Sequence, residues 1–442
     1  MNRHHSAAAL ALLLLAFGAG VASCGALPED DPTSSSVTRS EVRRTDDGWQ
    51  LHLDGEPFHV RGAALEFGSI ESLAAHGANS FRTWRTENGR RSGREVLDEA
   101  HRHGLKVTMG LDVGRERQGF DYGDADAVAA QLARIRGEVE RLKDHPALIL
   151  WAIGNELNHH ATDPRVWDAV NEISLMIHEV DPHHLTTTPL SSLDPELVST
   201  VQLRAPDLDL LSVQMYAEIE VLPERIAASG WDGPLLVTEW GATGYWEVGT
   251  TDWGAPLEND SSTKADLYGA RYRGSIASQR SQVVGSYVFL WGQKQERTPT
   301  WFGMFTPDGR ETEAVHVMHE IWTGAWPADR APRVQRLLLD GRSARDGVRL
   351  MAGESYEATF EAEDPEGGPL RFRWQVMRES ESTATGGDPE REPSTVAASF
   401  VPGAPGHVTF TAPGAPGAYR LFAYADDEGV STAHANIPFL VE

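Results

Sequence analysis

The sequence predicts an α/β fold, a (β/α)8 barrel, followed by an all-β sandwich. Three observations predict it. From residue 60 to residue 322, strand-like and helix-like stretches alternate as eight units in about 265 residues, the length of one such barrel. Beyond residues 327–332 the helical period disappears and short alternating strands take over. Two apolar strands, the fourth and the seventh, each end in a glutamate, Glu156 and Glu239. The C-terminal strand ends of a parallel barrel are where its active site is built.

The chain of 442 residues is 40% hydrophobic with 13 tryptophans, enough for a large core and two or three domains. Its formal net charge of -26 excludes nucleic acid and anionic lipid surfaces as expected partners, because both require basic patches. Residues 1–24 read as a targeting segment. Arg3 and two histidines precede the apolar run 7–21, which is too short to span a bilayer comfortably. The run ends in Val21-Ala22-Ser23-Cys24, which resembles a bacterial lipoprotein signal. That resemblance implies lipidation at Cys24, the single cysteine of the chain, and an extracytoplasmic protein anchored in the membrane through it. Residues 25–46, rich in Asp, Pro, Ser and Thr, are expected to be a flexible tether.

Residues 47–326 are assigned to the barrel. A hairpin over 49–60 turns at Asp54-Gly55, and strand one follows at 60–65. A helix near 69–76 leads to strand two at 79–84. The next helix, 93–103, stops at Gly104, as a left-handed C-cap requires. Strand three is 105–113, and the helix 125–143 ends at His145-Pro146. Strand four, from 147, is a continuous apolar run, the pattern of a strand buried on both faces. The helix 164–180 starts after Asp163, with proline at its first position. Strands five, six and seven are placed at 185–189, 208–216 and 234–240. A helix at 263–281, strand eight at 284–291 and a helix at 311–322 complete the ring. Residues 333–442 are assigned to the sandwich, with short strands between 334 and 441. The polar, Gly- and Glu-rich stretch 379–394 is expected to be a mobile loop.

Two carboxylates at one rim can split a glycosidic bond by double displacement: one attacks the anomeric carbon, while the other protonates the leaving oxygen and then activates water. Their pKa values must diverge, the acid staying protonated near neutrality and the nucleophile ionised. Gly154-Asn155-Glu156 and Thr238-Glu239-Trp240-Gly241 resemble the strand ends of clan A glycoside hydrolases, closest to the TIM-barrel module of family 2 and the family 5 β-glycanases. Supporting matches are Arg61-Gly62, the segment Gly77-Ala78-Asn79-Ser80-Phe81-Arg82-Thr83-Trp84, Tyr216 at the end of strand six and Trp291 at the end of strand eight. The resemblance implies Glu156 as acid/base and Glu239 as nucleophile. It further implies Asn155 on the sugar 2-hydroxyl, with Arg82 and Tyr216 holding Glu239. The sequence departs from the large family 2 enzymes in having its sandwich after the barrel.

Aromatics gather after the strand ends, among them Trp240, Tyr245, Trp246, Trp253, Trp291, Trp301 and Phe302. Sugar rings stack on such faces. Trp240, Trp246 and Trp291 are therefore expected to bind substrate, Trp291 in the cleavage subsite. The segment 242–262 is too long for an ordinary connection and reads as a substrate-binding loop; 293–297 is a second polar loop over the same face. His316-x-x-His319-Glu320 matches no standard zinc motif, and Asp364 with Glu366 reads as a plain turn, so no metal or cofactor is expected. The C-terminal region, through Asp364-Pro365-Glu366-Gly367 and Leu370-Arg371-Phe372-Arg373-Trp374, resembles immunoglobulin-like or PKD-type modules; its expected role is spacing, with carbohydrate binding and docking against the barrel as the alternatives.

The expected function is a lipid-anchored retaining glycosidase acting on a β-linked glucan or related oligosaccharide. The same residues fit a β-glucan transglycosylase, in which sugar replaces water as the acceptor. A non-catalytic surface carbohydrate-binding lipoprotein and a structural envelope lipoprotein are rivals of a different class.

Overall fold

The computed structural model describes residues 37–442. The signal segment and Cys24 lie outside the described residues. The described chain opens with an antiparallel sheet of β1 (Ser40–Thr45), β2 (Gly48–Leu53) and β3 (Glu56–Phe58). Asp54 (φ 53°) and Gly55 (φ 88°) both turn left-handed between β2 and β3, as a two-residue hairpin of this twist demands. β1 corrects the expected tether, which extended to residue 46. Residues 40–45 pair with β2 instead, Ser40 N–H donates to the His183 carbonyl, and Thr38 Oγ1 donates to the Pro146 carbonyl. The physical cause is the open lower end of the barrel. Leu51 and Leu53 cover the apolar side chains Ile149, Leu150, Leu185, Leu236 and Val284 there.

The barrel strands are β4 (Val60–Ala64), β5 (Ser80–Arg82), β6 (Lys106–Leu111), β7 (Leu148–Ile153), β8 (Leu185–Thr187) with β9 (Pro189–Leu190), β10 (Leu211–Gln214), β11 (Leu235–Glu239) and β12 (Val283–Val288). All pair in parallel, in the order β8-β7-β6-β5-β4-β12-β11-β10-β9. β8 and β9 are two halves of one fifth strand, so the ring has eight positions. Proline at 189 removes a ladder donor where the strand divides.

The helices between them are α1 (Ile70–Ala75), α2 (Gly93–Arg102), α3 (Ala125–Leu142), α4 (Arg165–Val180), α5 (Pro195–Arg204), α6 (Leu222–Ser229), α7 (Ser261–Arg271) and α8 (Glu313–Thr323). Their starts are fixed by local chemistry: Ser92 and Glu95 form a capping box, and Asp124, Asp194 and Asp260 accept first-turn N–H groups. α5 and α6 fill connections for which the sequence predicts no helix range. The helix expected over 263–281 is α7 followed by a π turn, Tyr272–Ile276, and a 3-10 turn, Ala277–Gln279.

The sandwich comprises β13 (Arg333–Leu339), β14 (Val348–Leu350), β15 (Ser355–Glu363), β16 (Arg371–Arg378), β17 (Thr395–Val396), β18 (Phe400–Pro402), β19 (His407–Thr411), β20 (Gly417–Asp426) and β21 (Thr432–Val441). Its sheets are β13-β15-β19-β18 and β14-β21-β20-β16-β17. Between them lies a core that includes Leu339, Phe360, Phe410, Leu421, Ile437 and Phe439.

The sandwich does not stand off as a spacer. β20 and β21 are buried nearly throughout, because one face meets the sandwich core and the other meets the barrel. At that contact Glu258 is completely enclosed. It accepts from Lys264 Nζ, Thr300 Oγ1 (2.9 Å), Thr298 Oγ1 (2.6 Å) and, from β21, Asn436 Nδ2 (2.7 Å). Arg420 of β20 donates to the Pro256 carbonyl, and His434 N–H to Ser261 Oγ. A buried carboxylate is tolerated only when so supplied with donors. The expected mobile loop, residues 379–394, is also corrected: it packs across the barrel mouth.

Candidate active site

β7 ends at Ile153, and Gly154 turns left-handed (φ 72°), where a Cβ would stand 2.6 Å from Leu157 Cδ1. Glu156 is itself left-handed (φ 49°), an uncommon state for a residue with a side chain. Its N–H donates to the Pro189 carbonyl, at 2.9 Å, so the divided fifth strand holds this turn. Such strained backbone concentrates at functional sites.

Glu239 closes β11. A register shift between Val213 and Gln214 sets Gln214 opposite it. Its Oε1 accepts from Trp84 Nε1 (2.9 Å), Gln214 Nε2 (3.1 Å) and Arg82 Nη1 (3.2 Å); its Oε2 accepts from Tyr216 Oη (2.9 Å). Arg82 Nη2 and Gln214 Nε2 also donate to Asn155 Oδ1, at 2.8 and 2.7 Å. With its oxygen facing both donors, the Asn155 side chain keeps its NH2 for another acceptor. Burial and the Glu239 charge push the Tyr216 hydroxyl well above its usual pKa, so it stays a neutral donor.

Both glutamates line one cavity of about 990 Å³, near the upper end of the ~300–1,000 Å³ range of small-ligand sites. Burial, and next the negative charge of Glu239, raise the Glu156 carboxyl to about 8, against the pull of Arg82. Another carboxylate on the wall, Glu296, is also raised, by burial, although Lys294 lies 2.8 Å away.

The residues expected from sequence divide. Glu156, Glu239, Arg82, Asn155 and Tyr216 come together, as the hydrogen bonds above and the cavity wall record. Trp246, 56% exposed, lies on the wall edge-on to Tyr216. Trp240 is a correction: it is 0% exposed and packs on Tyr268 and Tyr272 behind the strands. Successive strand residues point to opposite sides, so the neighbour of an inward Glu239 faces outward. Trp291 is a second correction. It contributes to the wall but is 0% exposed, its ring packed against His76, Phe305 and Trp322, and it offers no face for stacking. Trp253 lies beneath the Arg349 guanidinium of the sandwich, so only part of the 242–262 loop faces the cavity.

Trp84, Gln214 and residues 385–390 also line the cavity but were not expected to; Glu296 lies there too, within the 293–297 loop expected over this face. The signal for the first two was present: Trp84 is two residues from Arg82, and Gln214 two from Tyr216. In a strand that spacing puts side chains on one face.

Residues 69–251 match the family described as Glycosyl hydrolases family 2, TIM barrel domain. The matched span includes both glutamates. The chain is 33% identical over 133 residues to a β-galactosidase of Vibrio cholerae, a stretch covering 25% of this chain and 13% of that protein. Among solved structures, the β-D-glucuronidase of Dictyoglomus thermophilum is similar with a TM-score of 0.51 at 18% identity, covering 65% of this chain and 54% of that chain. Bacteroides uniformis β-glucuronidase 2 is similar with a TM-score of 0.51 at 13% identity, covering 91% and 48%. The chain thus spans about half the length of these solved relatives and 13% of the curated one. At these identities the solved structures speak to the fold. Residues 69–251 thus match the TIM-barrel domain of the family 2 glycosyl hydrolases, and the solved structures share the barrel fold.

Proposed function

We propose that the chain is a retaining glycoside hydrolase that cleaves a β-linked glucan or related oligosaccharide by double displacement. Glu239 is the nucleophile and Glu156 the acid/base. The observation that carries this reading is the unequal treatment of two glutamates in one cavity. Glu239 is held by four donors, three on neutral side chains and one on a guanidinium. Glu156 is raised to about 8 and therefore protonated at neutral pH. A carboxyl raised by burial beside one held by a guanidinium and three neutral donors assigns the first as the acid and the second as the nucleophile. In this reading Glu239 Oε2, which has Tyr216 as its one donor, attacks the anomeric carbon, and Glu156 gives its proton to the departing oxygen. Water then attacks the glycosyl-enzyme after yielding a proton to Glu156. The Asn155 NH2 serves the 2-hydroxyl. A lipid on Cys24 holds the enzyme outside the cytoplasm, at the membrane surface.

The test is a panel of chromogenic β-glucosides, β-galactosides and β-glucuronides together with β-glucan oligomers, the first-formed anomer being read by NMR. The relatives' names place the galactoside and the glucuronide in the panel. Retention, with Glu239→Ala inactive and rescued by azide as the inverted glycosyl azide, supports the proposal. It is overturned if no glycoside is hydrolysed, if the first product is inverted, or if Glu239→Ala and Glu156→Ala keep full activity. Labelled palmitate incorporation that persists in Cys24→Ala would overturn the anchor.

A further inference from the structure

The loop between β16 and β17, residues 379–394, belongs to the sandwich by sequence yet ends at the barrel mouth. Asp388 pairs with Arg117 and accepts from Gln118 Nε2 at 2.8 Å. Thr385 Oγ1 meets His159 Nε2 at 3.2 Å. Lys294 Nζ donates to the Gly387 carbonyl at 3.0 Å, Tyr245 Oη to the Ala384 carbonyl at 3.3 Å, and Arg297 N–H to Glu390 Oε2 at 2.7 Å.

The ring positions of these partners matter more than their number. Arg117, Gln118 and His159 follow the third and fourth strands, β6 and β7. Tyr245, Lys294 and Arg297 follow the seventh and eighth, β11 and β12. In a ring of eight, those pairs lie opposite each other. The loop is therefore a strap across the mouth, anchored on both banks, and residues 385–390 form part of the wall of the cavity that holds Glu156 and Glu239. Gly386 fits where the crossing is tight: its φ is 58°, and a Cβ there would stand 3.0 Å from both His159 and Arg117.

We propose that residues 382–390 of the sandwich are the specificity-determining element of this site: the strap blocks passage of a continuous chain across the barrel mouth, so that chain ends and short glycosides enter and internal linkages do not. This rests on the glycosidase reading above. A polysaccharide lying across an open barrel mouth would run through the space that the strap fills. The sandwich is thereby a working wall of the cleft, which accounts for its close docking through Glu258 and Asn436.

The test replaces residues 382–390 by a short Gly-Ser link in the full chain. It compares kcat/KM on two β-linked oligomers of whichever sugar the wild type hydrolyses, one free and one capped at its non-reducing end by a cyclic ketal. Wild type should cleave the capped oligomer at least about 100-fold less well than the free one, and the replacement should narrow that gap tenfold or more. The proposal is overturned if wild type cleaves both equally, or if a folded strap variant with unchanged melting behaviour keeps the wild-type ratio. Trypsin cleavage after Arg391, next to the strap, reads its docking without catalysis. Cleavage should be slow in the wild type and accelerate about tenfold in Asp388→Ala; equal rates overturn the docked strap. A wild type that hydrolyses no glycoside but shows the protected strap defeats the glycosidase reading and, with it, the specificity role, while leaving the docking intact.

Discussion

The Arg82 guanidinium reaches Glu239 Oε1 at 3.2 Å with one nitrogen and Asn155 Oδ1 at 2.8 Å with the other. A completely buried cation on the second strand thus sets the spacing between the tips of the seventh and the fourth. The planar fork makes this possible, since its two donors diverge at a fixed angle. Glu239 in turn compensates a charge that would otherwise be costly to bury.

Arg82→Lys should keep the charge and lose the fork. A point cation cannot bridge both acceptors at once, so one hydrogen bond to a charged or polar partner is lost. Such bonds are worth about 1.5–3 kcal/mol, which converts to a roughly 10–150-fold fall in kcat. KM should change much less, because Asn155 and Glu239 are displaced from the reacting geometry rather than removed. Steady-state kinetics on the best panel substrate checks this. A kcat within threefold of wild type would show that the bridge is structural only.

Glu156→Gln and Glu239→Gln should separate by leaving group. General acid catalysis contributes about 10²–10⁴-fold, and its value depends on how badly the departing oxygen needs a proton. Glu156→Gln should lose about that factor on alkyl or sugar leaving groups while still forming the glycosyl-enzyme quickly from dinitrophenyl glycosides. Glu239→Gln should lose activity on every substrate by more than about 10⁴, because no covalent intermediate forms. Equal losses for both variants on both substrate types would exchange or abolish the assigned roles.

The pH dependence follows from the same pair. Glu156 must hold its proton to act as an acid, and its carboxyl is raised to about 8. The kcat/KM profile should therefore stay level through neutrality and fall on the alkaline side near pH 8, as Glu156 ionises. Replacing Glu156 by Gln should remove that alkaline limb on activated substrates. A limb that persists in the variant belongs to another group, and Tyr216 is too high to supply it.

Most of this arrangement was legible because strand ends obey a local rule. A continuous apolar run followed by Asn155 and Glu156 marks both a buried parallel strand and its rim, and the same holds for Glu239. The aromatics were less legible, since a tryptophan near a strand end is equally suited to the rim and to the layer behind it. Period-two alternation would have placed Trp240 outward; Trp291 lies three residues past the end of β12, where alternation no longer applies. The strap could not be read at all. Residues 379–394 contain little apolar sequence, and their order comes from ion pairs and backbone acceptors on loops far away in the chain. The both-sided burial of β20 had a signal in Leu421-Phe422-Ala423-Tyr424-Ala425, an apolar run with no polar alternation.

The barrel–sandwich contact should be acid-labile, and His434 should account for part of it. Burial first, then the Lys264 charge, lower its imidazole to about 3, while Glu258 pulls it upward. The folded state therefore holds His434 neutral, whereas the unfolded chain takes up a proton near pH 6.5. Its contribution to stability is complete above pH 6.5 and is lost as pH falls from there toward 3. Glu258 acts in the same direction over a lower window. Burial raises it, but Lys264, His434 and Arg420 outweigh burial and hold it at about 2, so its contribution is lost between about pH 4.5 and 2. Thermal denaturation at pH 7, 6 and 5 should show the melting temperature falling, and His434→Leu should flatten that fall. The flattening is bounded by one proton, about 1.4 kcal/mol per pH unit. A variant that keeps the wild-type slope between pH 6.5 and 5 would assign that acid sensitivity elsewhere, with His59, half-buried and lowered to about 4, next to be replaced.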